Sequence, residues 1–245
     1  MAIKCLCMDF DGVFVDSTNE CVKVALSAYK NIISEREFKT HEIEDLKILR
    51  PKVKGAKEYL FAINLLLNSK DNIKHSDFEL SYFQNIYDKH TINLYIEEFY
   101  KEREKLINNN INEWIKSHKF YEDAFEIVKK FNSKNQVEFA IISLKDKKSI
   151  DILLNSKGYR NIKIFDNSVI SNKPEGLYKI FNEKNIKKED IIFIDDNPVH
   201  IQSCLEEGFE NSYMPSWNKI CLNYSKTFPD IKLISNENIC NFLRN

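Results

Sequence analysis

Four aspartates define the chemistry this chain could perform. Asp9 and Asp11 flank Phe10 at the end of a short apolar run, Ile3-Lys4-Cys5-Leu6-Cys7-Met8. Residues i and i+2 of a strand project to the same face, so a strand continuing this far would set the two carboxylates side by side at its carboxyl end. Like charges that close repel, each raising the other's pKa, and a cation between them removes the conflict. Gly12 then allows a sharp turn out of the sheet. Far downstream, Asp195-Asp196 ends a second run, Asp190-Ile191-Ile192-Phe193-Ile194. Asn197 is a good N-cap and Pro198 a good first helical residue, and a helical pattern follows through Ile201 and Leu205 to Gly208. Two acidic strand ends meeting where an open parallel sheet binds its ligands would form an oxygen-rich, negative pocket. Hard divalent cations, magnesium above all, prefer such ligands. For either pair alone, the plain alternative is a capped strand end with solvated aspartates.

These carboxylates can converge only if the chain builds a sheet. From about residue 119 the pattern alternates strand and helix, as doubly wound sheets do. Helix is expected over 120–131, 146–157 and 174–184, and strand over 137–143, 161–165 and 190–194. Shorter strands are expected at 211–214 and 231–234, with a terminal helix over 237–243. Residues 18–118 carry apolar side chains at helical spacing, as in Val22, Leu26 and Tyr29, and Gly55 is the only glycine among them. This segment is domain-sized and forms a helical insertion between the first and second strands.

On these residues the sequence resembles the haloacid dehalogenase superfamily of phosphotransferases, in its phosphoglycolate-phosphatase-like branch. Four motifs carry the likeness. They are Asp9-Phe10-Asp11-Gly12-Val13 with Asp16-Ser17, Ser143 at the end of Val137–Ile142, Lys173-Pro174 before a helix containing Tyr178, and Asp195-Asp196. They span residues 3 to 208, and the segment between the first two is the least well described. The resemblance implies an α/β fold, a doubly wound parallel sheet formed by residues 1–17 and 119–245, with 18–118 as an inserted α-helical cap that commonly sets substrate choice.

It also implies roles. Asp9 is the nucleophile, which splits one displacement at phosphorus into two through an aspartyl phosphate. Asp11 is the general acid and base. Mg2+ sits between Asp9, the backbone carbonyl of Asp11 and the Asp195-Asp196 pair, with Asp196 the direct ligand and Asp195 direct or through water. Ser143 donates to a phosphoryl oxygen, and the N–H groups of Leu144 and Lys145 can add to this if a helix begins close by. Lys173 is a cation at a helix start, where the dipole disfavours it; pairing with Asp9 and the phosphoryl group accounts for it. In the insertion, Arg50-Pro51-Lys52-Val53-Lys54-Gly55 interrupts a helical pattern, and Arg50 and Lys54 could hold an anionic part of the substrate, or simply form a solvated basic turn. Lys145-Lys147-Lys148 and Lys187-Lys188 are expected to be solvated surface. Tyr59, Phe61 and Trp114 are expected in the insertion's own core, and Asn108-Asn109-Asn110 in a turn.

Composition narrows the field. Lys plus Arg is 36 against 37 for Asp plus Glu, so no basic excess argues for nucleic acid or an anionic membrane. No apolar stretch is long enough to span a bilayer, and Asp9 interrupts any signal-peptide pattern, so a cytoplasmic location is expected. The six cysteines, 5, 7, 21, 204, 221 and 240, lack zinc-site pairing and are expected to be reduced. Cys5 and Cys7 should pack as small apolar residues. His200 and Cys204 share a helix face but have no second ligand pair, which points to a structural role.

The expected function is a magnesium-dependent phosphatase acting on a small phosphorylated metabolite, a sugar, polyol or glycolate-type phosphate. The alternatives are a sugar-phosphate mutase of the same superfamily and a non-catalytic phospholigand-binding module. A dehalogenase fits less well, since Asp11 and Asp195-Asp196 suit a metal site and an ester leaving group. Nucleotide-cofactor enzymes are disfavoured by the absence of Gly-x-Gly-x-x-Gly and of a P-loop.

Overall fold

The computed structural model describes residues 3–68, 85–132 and 137–242. The chain divides into two compact units, Met1–Asp16 with Lys119–Asn245, and Ser17–His118. The first is an α/β unit. Its strands are β1 (Cys5–Met8), β2 (Val15–Asp16), β3 (Lys119–Phe120), β4 (Glu138–Ile142), β5 (Lys163–Phe165), β6 (Ile191–Ile194), β7 (Ser212–Pro215) and β8 (Leu233–Ile234). Six of them form one sheet in the order β5-β4-β1-β6-β7-β8, with every pairing parallel. β1 and β6 are buried along their whole length, as expected of strands covered on both faces. Strand order reverses around β1: β4 and β5 extend to one side, then β6 to β8 to the other. The adjacent carboxyl ends of β1 and β6 are therefore where such a sheet binds ligands.

The register makes this placement specific. Met8 pairs with Ile194, and the Asp9 N–H donates to the Ile194 carbonyl at 2.8 Å, so Asp9 and Asp195 emerge level with each other. On the other side Met8 pairs with Ile141, which puts Ser143 just beyond the end of β4. Cys5 and Cys7 share one face of β1, with their sulfurs 3.6 Å apart, and pack into the core beside Ile142, Leu177, Phe193 and Cys204, as their apolar reading anticipates.

The second unit is helical: α1 (Thr18–Ile32), α2 (Thr40–Leu49), α3 (Ala56–Asn68), α4 (Lys89–Asn109) and α5 (Ile111–Lys116). α1 buries Cys21, Val22, Val24, Ala25, Ala28 and Tyr29, the i, i+3, i+4, i+7 stripe of an amphipathic helix. Tyr59 and Phe61 lie in the same core. Trp114 is also buried, and its Nε1–H points at Glu20 from 3.3 Å. Glu20 is bound at 2.7 and 3.2 Å by Arg103, the two-pronged guanidinium contact that makes a buried pair tolerable.

The remaining helices of the first unit are α6 (Glu122–Asn132), α7 (Lys147–Ser156), α8 (Lys173–Lys184), α9 (Pro198–Glu206), α10 (Lys219–Thr227) and α11 (Asn236–Phe242). Several expectations need correction. Phe120 does not start a helix; it lies in β3, which pairs antiparallel with β2, Val15 opposite Phe120 and Asp16 opposite Lys119. The two chain segments of the first unit thus pair where one ends and the other begins, using strands too short to show a period in sequence. Helix α10 was not expected. Asn108 and Asn109 belong to α4, and only Asn110 breaks the helix, its side chain capping α5 through the Glu113 N–H at 3.1 Å. The expected terminal helix reaches Phe242, and Leu243 lies outside the described residues. Among the described residues no helix is long and apolar enough to cross a membrane.

Candidate active site

The β1 ladder stops at Met8, and the chain turns at once. The Phe14 N–H donates to the Phe10 carbonyl at 2.8 Å and the Gly12 N–H to that of Val15 at 2.7 Å. Asp11 therefore lies in a turn rather than on a strand extension beside Asp9, which corrects the alternation argument. Gly12 has φ +78°, and a Cβ there would fall 1.9 Å from a carboxylate oxygen of Asp196. Only glycine permits both this left-handed backbone and this approach. The contact shows that the two acidic segments abut. A second clamp comes from the loop after β7: Asn218 donates to the Gly12 carbonyl at 2.8 Å and Trp217 to that of Val13 at 3.0 Å.

Lys173 binds the centre together. Asn172 caps α8 by accepting from the Glu175 N–H at 2.9 Å, with Pro174 in the first turn. A Cβ on Gly176 would fall 2.4 Å from Cγ2 of Ile142, so its absence lets α8 lie close against β4. Lys173, 1% exposed, then reaches Asp9 at 2.7 Å, Asp195 at 3.2 Å and the Ile142 carbonyl at 2.8 Å. The unfavourable helix-start dipole is answered by two carboxylates and a carbonyl.

The two carboxylates that share this lysine differ. Burial pushes the Asp9 carboxyl up to about 6; Lys173 opposes the shift and the Asp195 charge adds to it. Burial acts on Asp195 in the same direction, but there Lys173, His200 and the Asn197 N–H prevail and hold it well below the usual carboxylate range. Burial also works against the Lys173 ammonium, and Asp195 and Asp9 overcome it and raise its pKa. Asp195 thus keeps its charge, and Asp9 is the group a further cation would help to ionise.

His200 lies at this centre and was not foreseen there. Its Nδ1 is 3.2 Å from both oxygens of Asp195, whereas Cys204 is buried in the hydrophobic core, so the two diverge in role. Asp9, Asp195 and His200 each offer a ligand atom, all within 4.8 Å of one another. With Asp196 against Gly12 and Asp11 3.4 Å from the Lys145 ammonium, the two acidic segments bring four carboxylates against two lysines, a formal double negative charge. The carboxylate oxygens gathered here are donors that fit a divalent cation such as Mg2+.

Ser143 is 1% exposed. Its N–H is spent on the Phe165 carbonyl at 2.9 Å, and its hydroxyl oxygen accepts from the Lys145 N–H at 3.3 Å. The Lys145 N–H is therefore turned toward the serine. Lys145 itself corrects the solvated-surface expectation: it is 4% exposed, while Lys147 and Lys148 are exposed and Leu144 packs partly against the core. Arg50 and Lys54 belong to the second unit. Arg50 opens a 3-10 turn, Arg50–Lys52, and donates to the Val53 carbonyl at 3.4 Å; Lys54 is exposed.

The sequence profile of the haloacid dehalogenase-like hydrolases matches residues 3–208. Among curated proteins none matches the chain. Solved structures share its fold. A haloacid dehalogenase-like family hydrolase from Streptococcus pneumoniae is 13% identical over 98% of each chain, with a TM-score of 0.63. A predicted phosphoglycolate phosphatase from Haemophilus somnus is 13% identical over 98% of this chain and 97% of its own, with a TM-score of 0.62. A Thermotoga maritima protein provisionally designated a β-phosphoglucomutase is 15% identical over 99% of each chain, with a TM-score of 0.57.

Proposed function

We propose that this chain, which belongs to the haloacid dehalogenase-like hydrolases, is a magnesium-dependent phosphatase for a small phosphorylated metabolite of the sugar, polyol or glycolate-phosphate kind. The observation that carries this reading is the meeting of Asp9 with Asp195 over the Lys173 ammonium, at 2.7 and 3.2 Å.

In the proposed cycle a carboxylate oxygen of Asp9 attacks phosphorus as the bond to the ester oxygen breaks, and Asp11 gives its proton to the departing alkoxide. The product is an aspartyl phosphate at Asp9. Water then attacks the same phosphorus, Asp11 takes the water's proton, and the acyl–phosphate bond breaks to return Asp9 and free phosphate. Ser143 has a hydroxyl hydrogen to offer a phosphoryl oxygen. Lys173 holds Asp9 in place and supplies positive charge where the phosphoryl group accumulates negative charge. His200 fixes the Asp195 carboxylate. A divalent cation held by Asp9, the Asp11 carbonyl and Asp196, with Asp195 direct or through water, would neutralise the phosphate and let an anionic nucleophile approach it.

The test is phosphate release from a panel of phosphorylated metabolites with Mg2+, after chelation, and with Asp9→Asn. The proposal expects turnover that chelation removes, Mg2+ restores and the variant lacks. Isomerisation of a hexose 1-phosphate without free phosphate would assign a mutase instead, and turnover by a folded Asp9→Asn variant would overturn the nucleophile assignment.

A further inference from the structure

Asp9 is held by an ammonium group, that of Lys173, which it shares with Asp195. We propose that Asp11 has one too: Lys145 is a positioning residue that holds the Asp11 carboxylate for proton transfer. The inference rests on the phosphatase reading and adds to it a residue outside the four motifs.

The Lys145 Nζ lies 3.4 Å from Oδ1 of Asp11, and the lysine side chain is 1% exposed. That Oδ1 atom is buried, while the Asp11 side chain as a whole remains 18% exposed. One oxygen is thus drawn inward to the ammonium, and the accessible part of the side chain lies elsewhere. An ammonium so deeply buried is costly unless a carboxylate accompanies it, and the Asp11 carboxylate stands within ion-pair distance of it.

The backbone around Lys145 is pinned as a positioning role requires. Its N–H donates to Ser143 Oγ at 3.3 Å. Two residues on, the Lys147 N–H donates to Asp166 at 2.8 Å, and the Ser149 N–H to the capping Asp146 at 2.8 Å. Asp11, by contrast, sits in a turn beyond the last ladder position of β1, with a single bridge to Val15. The ladder that fixes Asp9 does not extend to Asp11, and Lys145 supplies a fixed point from the neighbouring strand end. The two carboxylates have different tasks and meet different lysines, Asp9 the one at the start of α8 and Asp11 the one in the loop after β4.

Leaving-group dependence separates positioning from mere structural support. A p-nitrophenolate departs without a proton, whereas the alkoxide of glycerol 2-phosphate needs one, so a fault in the acid selectively penalises the second. General acid–base catalysis contributes about 100-fold to 10,000-fold, and mispositioning forfeits part of it. We expect Lys145→Met to lower kcat/KM on glycerol 2-phosphate about tenfold or more while changing kcat/KM on p-nitrophenyl phosphate by no more than about twofold, because that ratio ends at departure of the leaving group, before Asp11 acts as a base on water; Lys145→Arg should restore much of the loss. In an Asp11→Asn background, Lys145→Met should then have no further effect on glycerol 2-phosphate, as expected of two groups acting as one.

Circular dichroism checks that each variant is folded, and a variant that misfolds is replaced by Lys145→Gln. An equal loss of kcat/KM on both substrates, a rise in KM alone on both, or full additivity with Asp11→Asn would each overturn the positioning role. Failure of the wild-type chain to release phosphate from either ester would instead defeat the phosphatase reading on which the inference rests.

Discussion

Replacing Asp9 by asparagine should remove activity and, without a divalent cation, make the protein more stable in a pH-dependent way. Burial lifts the Asp9 pKa from 3.8 to about 6, so the folded state binds that proton more tightly than the unfolded chain does. The sign follows. Below about pH 4 Asp9 is protonated in both states and costs nothing. Between about 4 and 6 the unfolded chain releases the proton first, and stability falls as pH rises. Above about 6 the full cost is present. A difference of about two pH units corresponds to about 3 kcal/mol. Asparagine mimics the protonated carboxyl and can still accept from Lys173, so it escapes this cost. Urea unfolding of both proteins in a chelating buffer, at pH 4.5 and pH 8, gives the comparison, since effects of other titrating groups largely cancel between them. The stability gap between variant and wild type should widen by about 2–3 kcal/mol in the variant's favour on going to pH 8. Saturating Mg2+ should then narrow the gap by stabilising the wild type more. A gap that is the same at both pH values would refute the claim that a buried, destabilised Asp9 is poised for a cation.

Lys173→Met should destabilise the fold by about 3–5 kcal/mol, because Asp195 and Asp9 are left buried without their ammonium; urea unfolding at pH 8 measures it. Gly176→Ala places a Cβ 2.4 Å from Ile142, so α8 must move or Ile142 must give way. A stability loss of about 1–3 kcal/mol and a fall in kcat are expected, since Lys173 rides on that helix. Asn218→Ala removes the 2.8 Å hydrogen bond to the Gly12 carbonyl and leaves a buried acceptor unmet. It should cost about 1–3 kcal/mol and weaken Mg2+ activation, read as a higher Mg2+ concentration for half-maximal turnover.

What the sequence makes legible is the set of groups carried on strand ends. Asp9, Ser143 and Asp195 each follow a continuous apolar run, and such runs become the buried central strands of a parallel sheet, so β1, β4 and β6 and the groups just beyond them can be located in advance. Lys173 is legible from the conflict between a cation and a helix start beside Pro174. Side-chain fates decided by tertiary placement are not legible in this way. Lys145 sits in a lysine-rich stretch whose other members are exposed, and nothing local distinguishes the one that turns inward. His200 looks like any residue in the first turn of a helix until α9 is placed over Asp195. Trp217 and Asn218 clamp carbonyls 204 and 206 positions away, and β2 and β3 are two residues each, too short for any periodicity. Strand alternation alone sets Asp11 beside Asp9, but the turn at Gly12 begins too early for that.

The central claim, that Asp9 accepts the phosphoryl group, is tested most directly by quenching turnover of a phosphate ester with borohydride, which reduces an acyl phosphate to the alcohol. Peptide mass spectrometry should then find homoserine at position 9, dependent on substrate and Mg2+ and absent from Asp9→Asn. Unmodified aspartate at position 9 under conditions of steady phosphate release, or homoserine at another position, would contradict the account.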